Sequence, residues 1–500
     1  MSPTTSNPQS ILNNRFLSYL IWQSIPSTLI FIFSFSFLPK TPLWSFLPFI
    51  TFQFLFSVTL SFISSASSHP IFLPRRLKLS LTFLLFVTAS AFSGSVAALS
   101  LFGFNDFGRV GLRGFLVGSM FGFHYVFKRR WVLEFPIIQR PPFFNFKMGI
   151  PLAAKRAFKL STVAFIFSAI LLEIIPHNFK CSIATQAFVA EQIVFFVASF
   201  AIFFCWELTH NLHRVLHTKR SVFAPPKGSA AAETNPSEHL LSALEESNPT
   251  SLLRYLAYLD LCMVCENNVD TWRRAAFFEE TGETYKRVIA VCLKPLEQLA
   301  SRLGEALGNS SDKSTQLSSQ LNSPTDARLD LKHVEELYNF QLYAWCSRIV
   351  ASLTACSRKE DKFGAAQLSG SNAAVVSTLI SCLLAVENFM GKKTNLQSPN
   401  QLLGSAGIKW ATVNSGRLDI AAAAAGSKRK NGPANSKAYA IADVLKTSIY
   451  QIVSAFHDEM LAGTKASLLE KDWVTSEKPL FGSREMVIQK LRLFLDFRAT

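Results

Sequence analysis

From Phe16 to Leu38 the chain reads FLSYLIWQSIPSTLIFIFSFSFL, and after Pro39-Lys40-Thr41-Pro42 it continues LWSFLPFITFQFLFSVTLSFIS from Leu43 to Ser64. Neither run contains Asp, Glu, Lys or Arg. A helix needs about 20 largely apolar residues to cross a bilayer core. Two such runs joined by a short Pro-bounded link predict a transmembrane hairpin. Four more runs follow: Leu79–Phe102, Gly111–Phe127, Phe158–Ile175 and Ala187–Trp206. The fourth is the shortest. The polar stretch Ser2–Asn14 lacks the basic region and cleavage site of a secretory signal, so the first run reads as a retained anchor.

Composition divides the chain in the same way. Of 500 residues, 49% are hydrophobic and 46 are Phe, most of them before residue 210. The second half has the mixed charge, alanine and leucine of a globular protein. Net charge is +16, which suits either an anionic membrane surface or nucleic acid. The basic residues decide for the membrane, because they cluster in short loops beside the apolar runs. With six spans, one side receives sixteen: Arg15; Arg75, Arg76, Lys78; Lys128, Arg129, Arg130, Arg140, Lys147, Lys155, Arg156, Lys159; and Arg214, Lys219, Arg220, Lys227. The other side receives Lys40, Arg109, Arg113 and Lys180. Lys and Arg accumulate in short cytoplasmic loops, so both termini are expected on the cytosolic side. Omitting the fourth span would scramble this separation.

Gly114, Gly118 and Gly122 repeat every four residues on the fourth span, which puts them on one face where another helix can approach closely. Packing within the bundle and homo-oligomerisation both use such a face. Glu173 and Glu191 are the clearest charges in the runs. Each lies near a run's end, where it is expected to reach the interface. The loop after the fourth span, FPIIQRPPFFNFK from Phe135 to Lys147, interleaves aromatic and basic residues, and its prolines are expected to keep it from a regular helix. Arg140, Phe143, Phe144, Phe146 and Lys147 suit an anionic leaflet, with Phe among the headgroups and cations on phosphate.

The eight cysteines are scattered and form no disulfide framework. Cys262-x-x-Cys265 has no second pair for zinc and reads as two buried thiols. After Phe223-Ala224-Pro225-Pro226 comes a Gly/Ala/Ser linker, and helical periodicity resumes at Leu252–Leu261. Further helices are expected over Thr271–Phe278, Thr284–Leu307, Leu329–Ala355, Ala373–Met390, Tyr439–Leu461 and Arg484–Phe497. No β pattern appears. The expected fold is all-α: a polytopic membrane protein of six transmembrane helices followed by a soluble α-helical domain. Its parts are a tail over 1–15, a six-helix domain over 16–206, a polar helix and linker over 207–247, and a helical domain over 248–500. Flexible segments are expected near 308–324 and 391–433, the latter carrying the basic triplet Lys428-Arg429-Lys430.

The search for catalytic chemistry finds one constellation. Glu207, His210, His213 and His217 follow the sixth span, and the three histidines share a helix face at metal-ligand spacing. A membrane di-iron enzyme needs several such clusters, and the other histidines are isolated, so an interfacial polar helix is expected there. Phosphate loops, nucleophile elbows, H-E-x-x-H and dinucleotide fingerprints are missing from the sequence. No catalytic, cofactor or metal residue is assigned. Two alternatives stay open: an endoplasmic-reticulum enzyme with a partial histidine metal site, and a transporter using Glu173 and Glu191.

Three stretches resemble one family, the NDC-one (nuclear division cycle) transmembrane nucleoporins. They are Phe135–Lys147, the membrane exit Trp206–Pro225, and the helix containing Leu256-Ala257-Tyr258-Leu259-Asp260-Leu261, which is followed by Arg273-Arg274 and an apolar turn. The resemblance covers roughly residues 10–305. It implies a nuclear-envelope protein without enzymatic activity, sited where inner and outer nuclear membranes fuse around the pore. Such a protein anchors scaffold nucleoporins, helps assemble pores, and so serves mRNA and protein transport indirectly. The implied partners are the bilayer, a membrane-binding RRM-fold nucleoporin and the WD-repeat protein aladin, with no direct nucleic acid. Phe-Gly pairs occur at Phe102, Phe107, Phe121, Phe363 and Phe481. Three of the five lie in or beside spans, which excludes a disordered barrier protein.

Overall fold

The structure is a computed structural model and describes residues 8–37, 43–66, 73–102, 107–136, 138–174, 185–226, 228–246, 248, 250–267, 270–311, 337–395, 433–462, 473–475 and 477–499. Among these residues there is no β-strand; one isolated bridge joins Ser65 and Val132. The chain forms two compact units, one of residues 1–226 with 246–257 and one of residues 227–245 with 258–500.

Among the described residues the first unit contains helices α1 Pro8–Phe37, α2 Phe46–Ile63, α3 Leu73–Phe102, α4 Phe107–Phe127, α5 Pro142–Ile174 and α6 Thr185–His217. Helices α1, α2, α3, α4 and α6 each contain a stretch long and apolar enough to cross a membrane. The fifth expected span falls on the C-terminal half of α5, which is not among these stretches, although Phe158, Ile166, Phe167 and Ile170 there are exposed. Large apolar side chains on an outer surface are costly in water and neutral in lipid. Leu17, Trp22 and Phe33 of α1 and Leu81 and Leu84 of α3 follow the same pattern. The bundle interior is aromatic: Phe56 stacks on Trp206 at 4.8 Å, and Phe121 approaches the same indole at 5.0 Å.

One expectation needs correction. The loop Phe135–Lys147 is half helix, since α5 begins at Pro142. The first helical position needs no N–H and suits the fixed φ of proline, so Pro142 starts the helix that the sequence reading took it to prevent. Pro151, inside α5, is likewise accommodated. Glu191, near the start of α6, is partly exposed and lies between Arg109 (2.8 Å) and Arg113 (3.1 Å). Arg113 also donates to Ser168 Oγ and Gln192 Oε1 and lies over the Phe195 ring at 3.6 Å. A charge in a membrane bundle is usually paired, and here one anion of α6 is shared by two cations of α4, which leaves a net positive charge.

The second unit contains helices α8 Glu283–Ser311, α9 Phe340–Glu360, α10 Ser371–Asn395, α11 Pro433–Ala462 and α12 Arg484–Ala499. Helix α7, Leu252–Glu266, supplies residues to both units. Several limits differ from the sequence reading. Helix α8 continues to Ser311 and α10 to Asn395, and the helix at Thr271 stops at Ala275. Helix α10 also qualifies as a span by length and apolarity. However, Val375, Leu379, Ile380, Cys382, Leu383 and Val386 are all buried within the protein. A helix apolar on every side is a core helix when protein surrounds it. The remainder of the 308–324 segment, most of 391–433 with Lys428–Lys430, Ile137, Cys181 and the side chains of Glu173 and Asn309 lie outside the described residues.

Candidate functional site

Helix α4 ends in a turn set by Arg129, whose φ of 52° is left-handed. Arg130 then donates its N–H back to Tyr125 O at 3.1 Å, and its side chain is directed at α6. There its guanidinium grips Glu207 with two bonds, 2.5 and 2.7 Å. Glu207 is buried. The pair is planar, two-pronged and charge-assisted, the strongest class of side-chain hydrogen bond. One turn on, His210 Nδ1 meets the Tyr125 hydroxyl at 3.2 Å. Asn211 Nδ2 donates to Phe146 O at 3.0 Å. Gly149 makes that possible, because a Cβ there would sit 2.1 Å from Asn211 Nδ2.

Past the end of α6 the open carbonyls are satisfied by one residue of α1. Arg15 donates to the oxygens of Leu216, His217 and Lys219 and to Ser221 Oγ, at 2.6 to 2.9 Å. A cation here also opposes the negative end of the helix dipole. This fastening joins the first span to the last, which the sequence reading missed entirely. The clue was Arg15 standing alone before the first apolar run.

The histidine constellation does share a face, but three of its four members are engaged elsewhere. Glu207 is held by Arg130, and His210 by Tyr125. His217 Nδ1 lies 2.9 Å from His213 O, with its ring stacked on His213 at 4.0 Å. Among the described residues no group of His, Cys, Asp and Glu is placed to hold a metal. Helix α6 runs unbroken from Thr185 to His217, so these residues end the span itself rather than a separate polar helix.

Gly114, Gly118 and Gly122 lie against α3. A Cβ at Gly114 would sit 2.5 Å from Gly94 O, one at Gly118 2.1 Å from Ser90 O, and one at Gly122 3.0 Å from Val87 Cα. The glycine face is therefore covered by the chain's own neighbouring helix. Phe143 and Phe144 are exposed, as are Arg140 and Lys147, while Phe146 is half-buried.

The helix-α7 residues are packed inside. Leu256, Ala257, Tyr258, Leu259, Asp260 and Leu261 are all buried. Arg273 holds Asp260 at 2.7 and 3.3 Å. Arg274 holds Glu360 at 2.5 and 2.8 Å and donates to Cys265 O at 3.1 Å. The Arg-Arg pair thus ties α7 and α9 together. Burial pushes the Cys262 and Cys265 thiols above their ordinary range. Both are free and protonated, a poor state for metal binding or nucleophilic attack.

An aromatic bundle with an apolar outer face, charges paired inside, and a helical unit beyond it defines an all-α polytopic membrane protein. A family model described as Nucleoporin protein Ndc1-Nup matches residues 111–339 and 328–461. The chain belongs to this family and is a nucleoporin of the pore membrane. No curated protein matches it. Membership points to a structural rather than an enzymatic protein.

Proposed function

We propose that this nucleoporin anchors the nuclear pore complex in the nuclear envelope and supports pore assembly, with its helical C-terminal half docking soluble scaffold nucleoporins. The observation that carries the reading is the reach of the family match, from α4 in the membrane unit to α11 in the soluble unit. The physical logic supports it. A polytopic bundle does not readily leave the bilayer, and its exposed apolar faces give it a large lipid contact. The exposed Arg140, Phe143, Phe144 and Lys147 suit an anionic leaflet, cations on phosphate and rings among the headgroups. In this reading both termini face the cytosol or pore, as the sixteen-to-four charge asymmetry implies. The partners are a membrane-binding RRM-fold nucleoporin, aladin and a second copy of the chain. Service to mRNA and protein transport is indirect.

Super-resolution imaging of a C-terminally tagged protein beside a scaffold nucleoporin tests the reading. Rim puncta coincident with pores are expected, with crosslinks to scaffold nucleoporins from the soluble half. An even endoplasmic-reticulum network without pore enrichment would overturn it. Orientation has its own test. Asn309-Ser310-Ser311 is a glycan acceptor only in the lumen, so Asn309 is expected to stay unmodified in the native protein. A glycan there would reverse the topology.

A further inference from the structure

A neutral imidazole offers one donor and one acceptor, and when buried it normally uses both. His213 is buried, with the Tyr19 ring in a T-shaped contact at 4.9 Å between centroids and His217 stacked on it. Neither of its ring nitrogens has a hydrogen-bond partner, unlike His210 and His217, whose Nδ1 atoms are engaged. A buried group left in this state costs free energy, which a ligand that bonded to it would recover.

His213 lies on the wall of a cavity of about 550 Å³ within the membrane unit, well inside the size range of small-molecule sites. The start of α1, the end of α2, the chain around the Ser65–Val132 bridge, the end of α6 and the start of α7 enclose it. Its wall is mixed. Asn13, Ser65 and Thr250 bring polar groups, and Phe16, Leu133 and Leu252 bring apolar surface. Phe62 also lines it and is 76% exposed. The cavity therefore opens on the outer face of the bundle, at the ends of three spans, where headgroups meet acyl chains. Among the described residues no Asp, Glu, Lys or Arg lines it. Arg15, close by in sequence, is occupied by the four acceptors beyond α6.

We propose that this cavity binds one amphipathic lipid with an uncharged, hydroxyl-bearing head, of the sterol or diacylglycerol class. The hydroxyl bonds to His213, the apolar body lies against Phe16, Leu133 and Leu252, and entry is past Phe62. An anionic headgroup finds no counter-charge on this wall, and water alone would leave the apolar surface wet. The proposal is independent of the pore-anchoring reading and would hold for this bundle in any membrane.

The test uses the full chain in lipid nanodiscs with three photoactivatable, clickable probes: a sterol, a diacylglycerol and a phosphatidylserine. Adducts are mapped by mass spectrometry. Sterol or diacylglycerol adducts are expected on the segments around Leu12–Phe16 and Ser61–Ala66, and the probe that labels them identifies the source. His213→Phe should lower this labelling roughly fivefold, the scale of one desolvated hydrogen bond. Ser61→Trp, which fills the cavity from its half-buried wall, should abolish it. Adducts elsewhere on the bundle should be unchanged by either variant. If His213→Phe is not monodisperse, Ser61→Trp carries the test alone. Equal labelling of wild type and Ser61→Trp, preference for phosphatidylserine, or no labelling by either uncharged probe would overturn the proposal.

Discussion

Helices α2 and α10 have the same mean hydropathy over their most apolar 18 residues, 1.8, but one-third of that stretch is buried in α2 and two-thirds in α10. Hydropathy measures a helix's need for apolar surroundings and does not say what supplies them. For α10 the supply is protein, since it packs against α8 and α11 in the second unit. For α2 it is partly protein and partly bilayer, with Leu47, Leu55 and Phe62 facing outward. The two units also place their paired charges differently. Among the described residues the first unit shares the partly exposed Glu191 between two arginines of one helix, while the second unit buries Asp260 against Arg273 almost completely.

The largest effect is expected at that pair. Both side chains are almost wholly buried, so Asp260→Ala removes the near carboxylate from a buried guanidinium and leaves Asp270 at 4.0 Å. Removing one partner of a buried pair costs about 3–5 kcal/mol, a large part of the stability of an ordinary domain. Limited proteolysis of the full-length protein should show the second unit cleaved at much lower protease concentration. The membrane unit should keep its protection. The double variant Asp260→Leu, Arg273→Met should recover much of the loss, because apolar replacement of both charges is often neutral. Unchanged protection in Asp260→Ala would mean that the pair does not hold α7.

A smaller effect tests the helix comparison directly. Leu383 of α10 is fully buried, and Leu84 of α3 is 59% exposed. Leu383→Ala should cost about 2–5 kcal/mol through lost burial and a cavity. Leu84→Ala should be nearly silent in a bilayer, since lipid is as apolar as leucine. Thermal unfolding in nanodiscs separates the two. If both variants lose stability equally, the outer face of α3 is a protein contact and not a lipid one.

How far the sequence reached follows the same division. Apolar runs announce spans because lipid demands about 20 residues without charge, so α1 to α4 and α6 were legible from composition alone. The N-terminal half of α5 was not. Lys147, Lys155, Arg156 and Lys159 break its hydropathy, and Pro141-Pro142 looks like a stop although Pro142 occupies the one helical position that favours it. The histidine face of α6 was legible from spacing of three and four. Its engagements were not, because Tyr125 comes from α4 and Arg130 from the turn after it, and nothing local marks a contact across 77 or 85 residues. Asp260 and Arg273 were drawn out by the resemblance, but their pairing needed the fold.

The glycine face gives the finest contrast, within one helix. Four-residue spacing made Gly114, Gly118 and Gly122 look equivalent, yet their clearances against α3 are unequal. At Gly118 the nearest obstacle to a Cβ is the Ser90 backbone oxygen at 2.1 Å, which cannot rotate away, so Gly118→Ala must push α3 and α4 apart. Overpacking of this kind costs about 1–3 kcal/mol. At Gly122 the closest atom is 3.0 Å away, and a shift of a few tenths of an ångström accommodates the methyl. Gly122→Ala should therefore cost well under half as much, about 1 kcal/mol or less. Melting temperatures of the two single variants in nanodiscs, measured side by side, check the order. Equal losses would show that the interface yields as a whole and that spacing alone, as read in the sequence, sets the tolerance.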